Sequence, residues 1–99
     1  MIAGNYNITA YKNCDLLRVF SIDFDITNYI IKGTIKKNTS NVNFITTKIN
    51  ANKFQIFLDK DTVNLFDVGN YEYDILIKSN LTTKLIKGKL IIENSVTAI

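Results

Sequence analysis

Histidine, tryptophan and proline are absent from these 99 residues, and there is one cysteine. Each gap excludes a chemistry. With no His and a single Cys, neither a Cys₂His₂ nor a Cys₄ zinc site can form. An intrachain disulfide is impossible. So is a Ser-His-Asp or Cys-His catalytic arrangement. Glutamate is scarce, at two residues, which argues with the missing Trp against the paired carboxylates of a glycosidase. No apolar run approaches the ~18 residues of a membrane span. The start, Met1-Ile2-Ala3-Gly4-Asn5-Tyr6, has no basic region followed by an apolar stretch, so no signal peptide and no membrane partner are expected. No cofactor, metal or catalytic residue is expected.

What is present selects a fold class. Ile, Thr, Phe, Tyr and Val together supply 42 residues, against 16 from Ala, Leu, Glu, Gln and Met. β-Branched and aromatic side chains suit a pleated, half-buried surface, and strong helix formers are few. The length fits one domain over residues 1–99, large enough to bury a real core. The 13 asparagines suit turns. The net charge is +3, mildly basic and spread along the chain, which alone does not imply nucleic acid.

Alternating apolar and polar residues predict about seven strands, at 5–11, 16–23, 29–37, 42–48, 53–58, 70–78 and 84–93. Such spacing reads as an antiparallel sandwich or barrel. Residues 59–69 break the alternation. Asp61 to Phe66 are expected to form one helical turn capped by Asp61, with Leu65 or Phe66 plugging the core. On 70–78, Tyr71, Tyr73, Ile75 and Ile77 share the inner face. On 84–93, Ile86, Gly88, Leu90 and Ile92 do the same. A four-residue loop over 80–83 would set Tyr73 opposite Leu90, Ile75 opposite Gly88 and Asp74 opposite Lys89. Tyr71, Tyr73, Ile75, Gly88 and Leu90 are therefore core candidates. Tyr71 stands where a tyrosine corner sends its phenol to nearby backbone.

The phrase Asp67-Val68-Gly69-Asn70-Tyr71-Glu72-Tyr73-Asp74-Ile75, followed by Gly88-Lys89-Leu90-Ile91-Ile92 and Val96-Thr97, resembles small tailed-bacteriophage virion structural proteins. Asp25-Ile26-Thr27-Asn28-Tyr29 resembles their lead into the third strand, with Asn where Gly is usual. The resemblance covers about two-thirds of the chain. It implies an immunoglobulin-like β-sandwich that assembles without catalysis into a capsid as a decoration protein, or into a neck, tail or baseplate. Its partners would be other virion subunits, with self-association into a homo-oligomer allowed. It would be made in the host cytoplasm and reside in the virion. The alternatives are a receptor- or carbohydrate-binding module, then a small nucleic-acid-binding protein.

The candidate contact surface is the outer face of the sheet formed by 29–37, 70–78 and 84–93. Lys32, Lys36, Lys78, Lys87 and Lys89 would lie there among Ile30, Leu76, Leu85 and Ile91, opposed by Glu72 and Asp74. Buried aliphatics would supply affinity and lysines orientation toward an acidic neighbour. No aromatic ring accompanies the charge, which argues against nucleic acid. The bare strand edge beside this face is the rival contact. The pairs Asp23/Asp25 and Asp59/Asp61 read as solvated turn carboxylates rather than calcium ligands, and Cys14 as an incidental thiol in a polar turn.

Overall fold

A computed structural model describes residues 4–97. Nine strands are present among them: β1 (Gly4–Asn5), β2 (Ile8–Tyr11), β3 (Leu16–Ser21), β4 (Ile30–Lys37), β5 (Ser40–Asn43), β6 (Ile45–Asn50), β7 (Lys53–Leu58), β8 (Gly69–Lys78) and β9 (Thr82–Glu93). One short helix, α1 (Lys60–Val63), precedes β8. A larger sheet runs β1-β9-β8-β4-β5, with β2 continuing beside β9 after β1. A smaller sheet runs β3-β7-β6. The two enclose one apolar core, an immunoglobulin-like β-sandwich.

Alternation explains the core. Phe54, Ile56 and Leu58 of β7 are buried under Ile31 and Ile35 of β4, Tyr73, Ile75 and Ile77 of β8, and Leu90 and Ile92 of β9. Strand 53–58 lies at its expected bounds. The expected 42–48 strand is instead two. Its first part, β5, pairs with β4, and its second, β6, pairs with β7. The chain changes sheet at Phe44, whose amide donates to the Gly33 carbonyl (2.9 Å). A Cβ at Gly33 would lie 2.8 Å from the Phe44 ring, so glycine makes room for the crossing.

The β8–β9 register differs from expectation by two residues. Tyr73 faces Gly88, Ile75 faces Ile86, and Asp74 faces Lys87 rather than Lys89. A bulge follows: Leu76 faces Lys84, leaving Leu85 as an extra residue. A two-residue slip keeps every side chain on its face, so the apolar faces match while the pairs do not. The N-terminal strands pair with β9 in parallel, from Gly4 opposite Ile86 to Tyr11 opposite Glu93.

One end of the sandwich is sealed by α1. Its cap is Asp59, which accepts from the Thr62 amide (2.9 Å), not Asp61. Val63 and Phe66 are fully buried, whereas Leu65 is 66% exposed. The Tyr71 hydroxyl donates to the Asp67 carbonyl oxygen (2.8 Å), the expected corner, and its ring packs edge-on against Phe66. Lys12 Nζ donates to the Asn64 carbonyl oxygen (3.0 Å), and Asn13 exchanges side-chain and backbone bonds with Asn64. The β2–β3 turn is thereby clamped to the helix.

Candidate functional site

The outer face of the larger sheet holds most of the expected contact residues. Lys32, Lys36, Lys78, Lys87 and Lys89 are exposed, and Ile30 is 68% exposed. Leu76 is half-buried between Lys32 and Lys84, and Ile91 between Asn70 and Thr9. Leu85 does not belong with them. The bulge turns it inward beside Ile86, and it is 6% exposed. Lys84 takes the outward position instead, and its Nζ lies 3.2 Å from Asp74 Oδ2. Sequence reasoning missed Lys84 because regular alternation along 84–93, without the bulge, gives it the parity of Ile86 and Gly88 and so the inner face.

This face encloses an open hollow of about 710 Å³. Lys36 and Thr34 of β4, Glu72 and Asp74 of β8, and Lys84, Lys87 and Lys89 of β9 form its floor and walls. Asn5, Asn7 and Asn41 form its rims. Tyr73 lies beneath, but its ring points into the core against Phe44, and its hydroxyl donates to the Tyr6 carbonyl oxygen. Burial pushes the Tyr73 phenol up to about 12, aided by the neighbouring Tyr6. Tyr6 crosses directly over Gly88, where a Cβ would lie 2.0 Å from the Tyr6 carbonyl oxygen.

The outer face of the smaller sheet is different in kind. Leu17, Phe57 and Ile45 stand opposite one another across β3, β7 and β6. Val19, Gln55 and Thr47 form the next row. Leu17, Val19, Ile45 and Ile49, the last at the bulge in β6, are 49%, 51%, 61% and 48% exposed. These two rows contain no charged side chain; Lys53 enters only at the end of the strip, opposite Ser21. Large aliphatics scattered singly are ordinary on a surface, but a contiguous row across three strands is not scatter. The sequence carried the signal. Leu16-Leu17 and Val19-Phe20 are apolar at both parities, and Phe57 falls on the polar parity of its strand.

One carboxylate of each pair, Asp25 and Asp59, serves the backbone. Hydrogen bonds from the Thr27 side chain and amide hold the Asp25 carboxylate below the usual range, and those from Thr62 do the same for Asp59. Asp15 accepts from the Lys60 amide (2.7 Å). Among the described residues no three of His, Cys, Asp and Glu gather as a metal site. Cys14 is exposed in its turn.

No family model matches the chain, and no curated protein matches it. Solved structures do. The extracellular domain of a voltage-gated sodium channel β4 subunit, described as forming parallel homodimers that explain its role in cell-cell adhesion, superposes with a TM-score of 0.57. The identity is 12%, over 97% of each chain. A second structure, from work on multimeric cell-adhesive interactions of sodium channel β subunits, gives a TM-score of 0.55. Its identity is also 12%, over 98% of this chain and 97% of that one. At that identity the likeness establishes the fold alone. It nevertheless overturns the virion reading. The neighbours are extracellular adhesion domains, not capsid, neck, tail or baseplate components, and the binding-module alternative fits them better.

Proposed function

We propose that this protein is a non-enzymatic, protein-binding module that pairs with a second copy of itself through the outer face of its smaller sheet. The observation that carries this is the cross-strand row Leu17–Phe57–Ile45, flanked by Val19. A two-fold interface brings the same patch from both subunits together, so the patch must be self-complementary. An uncharged apolar strip meets that condition. The lysine face of the larger sheet does not, because two copies would oppose like charge. The homodimers described for the structural neighbours support the reading as analogy.

Size sets the strength. Three strands of six residues span roughly 20 by 15 Å. That is well short of the about 800 Å² per partner of a stable complex, so the pairing is weak and transient. Sedimentation velocity from about 10 μM to 1 mM tests it. The native chain should shift from monomer to dimer across that range. Leu17→Asp combined with Ile45→Asp should remain monomeric with a melting temperature within a few degrees, since both positions are about half exposed. A native chain that stays monomeric at 1 mM, or a folded double variant that dimerises equally, overturns the proposal.

A further inference from the structure

The hollow on the larger sheet has a separate character that self-pairing does not use. The outer face holds six lysines, at 32, 36, 78, 84, 87 and 89, against Glu72, Asp74 and, at the far end, Glu93. The surplus of three equals the whole chain's net charge of +3, so everything else balances. Four of these lysines, at 36, 84, 87 and 89, line the hollow against Glu72 and Asp74, so its lining is positive as well.

We infer that this hollow binds an extended peptide segment with acidic residues at alternate positions, laid along β9. The spacing favours it. Lys87 and Lys89 are two residues apart on one strand, so their side chains leave the same face roughly 6.8 Å apart. Carboxylates at alternate positions of an extended peptide repeat at the same interval. Each can therefore meet a lysine without bending the peptide. Lys36 faces them from β4 across the hollow. The rims suit a peptide as well. Asn5, Asn7 and Asn41 offer amide donors and acceptors matched to a peptide backbone. Asn7 is held in place because its Oδ1 already accepts from the Lys89 amide (3.0 Å).

Polynucleotide fits less well. Among the described residues the lining has one aromatic, Tyr73, and its ring is buried on the far side of the sheet. Bases would have nothing to stack on. The cations are lysines, point charges without the planar fork that grips phosphate, and the single arginine, Arg18, lies on the other sheet.

The inference is independent of the self-pairing surface, which lies on the opposite side of the sandwich. The test uses fluorescein-labelled peptide of four Glu-Ser repeats at 50 mM salt, followed by anisotropy. A block peptide of four Glu then four Ser and a single-stranded dT oligomer are the comparisons. Expected are saturable binding of the alternating peptide, at least threefold weaker binding of the block peptide, and at least a tenfold loss with Lys87→Glu plus Lys89→Glu. Both lysines are exposed but stand opposite Asp74 and Glu72, so Lys87→Gln plus Lys89→Gln, which makes no like-charge pair, should melt with the native chain and weaken peptide binding in the same direction. Leu17→Asp with Ile45→Asp should leave peptide binding unchanged. No binding of the alternating peptide, equal binding of the block peptide or by the lysine variant, or tighter binding of dT would each overturn the inference.

Discussion

At the scale of single residues, Gly88 shows how a side chain that is missing can fix a fold. The N-terminal chain passes so close to β9 that any Cβ at Gly88 would strike the Tyr6 carbonyl, the group that also receives the Tyr73 hydroxyl. Gly88→Ala must push the N-terminal strand off its seat. A cost of about 3 kcal/mol or more in chemical denaturation is expected, the upper part of the range for overpacking. Gly4→Ala, whose Cβ would meet nothing, should cost little. A Gly88→Ala loss below about 0.5 kcal/mol would mean that Tyr6 does not cross there. Tyr73 gives a second, independent readout. Its folded phenol titrates near 12, above the ordinary value of 10.0. The neutral form is the one the fold favours, so this contribution is complete below pH 10 and is lost as pH rises toward 12. The native chain should therefore lose more stability than Tyr73→Phe over that window, and parallel pH–stability curves would contradict the burial of this group.

At the scale of elements, the bulge in β9 decides which residues face water. Leu85→Ala should cost about 2–4 kcal/mol, because the side chain is removed from the core. Ile30→Ala, on a mostly exposed residue, should cost under about 1 kcal/mol. Equal effects in urea denaturation would return Leu85 to the surface. The same bulge marks the limit of what the sequence can say. Period-two alternation specifies parity, so Tyr73, Ile75 and Leu90 are legible as core residues from their spacing. Register is set by loop length and bulge position, and a slip of two leaves the hydrophobic pattern untouched. That is why Asp74 was expected beside Lys89 and stands opposite Lys87, with Lys84 as its ion partner. The break at Phe44 was equally hidden, because alternation runs on through a strand that changes sheets. The apolar face of the smaller sheet was readable in Leu17, Val19 and Phe57. It stayed obscure because the lysines of the other sheet gave a louder pattern.

At the scale of the molecule, the sandwich presents two unlike surfaces back to back. One is concave, polar and positive; the other bears an uncharged aliphatic strip. The strip suits a copy of itself and the hollow suits an acidic neighbour, so the two contacts need not compete. The fold was legible in composition and alternation. The role was not, because motifs such as Gly69-Asn70-Tyr71-Glu72-Tyr73 encode a tight entry into a strand and a tyrosine corner. Those needs are common to immunoglobulin-like sandwiches of many functions. Self-pairing through the smaller sheet is tested most directly by following backbone amide NMR shifts from about 20 μM to 1 mM. The expected result is concentration-dependent shifts clustered at Leu17, Val19, Ile45, Thr47, Gln55 and Phe57, with Lys36, Lys87 and Lys89 unmoved. Shifts confined to the larger sheet, or no shifts at all, would contradict it.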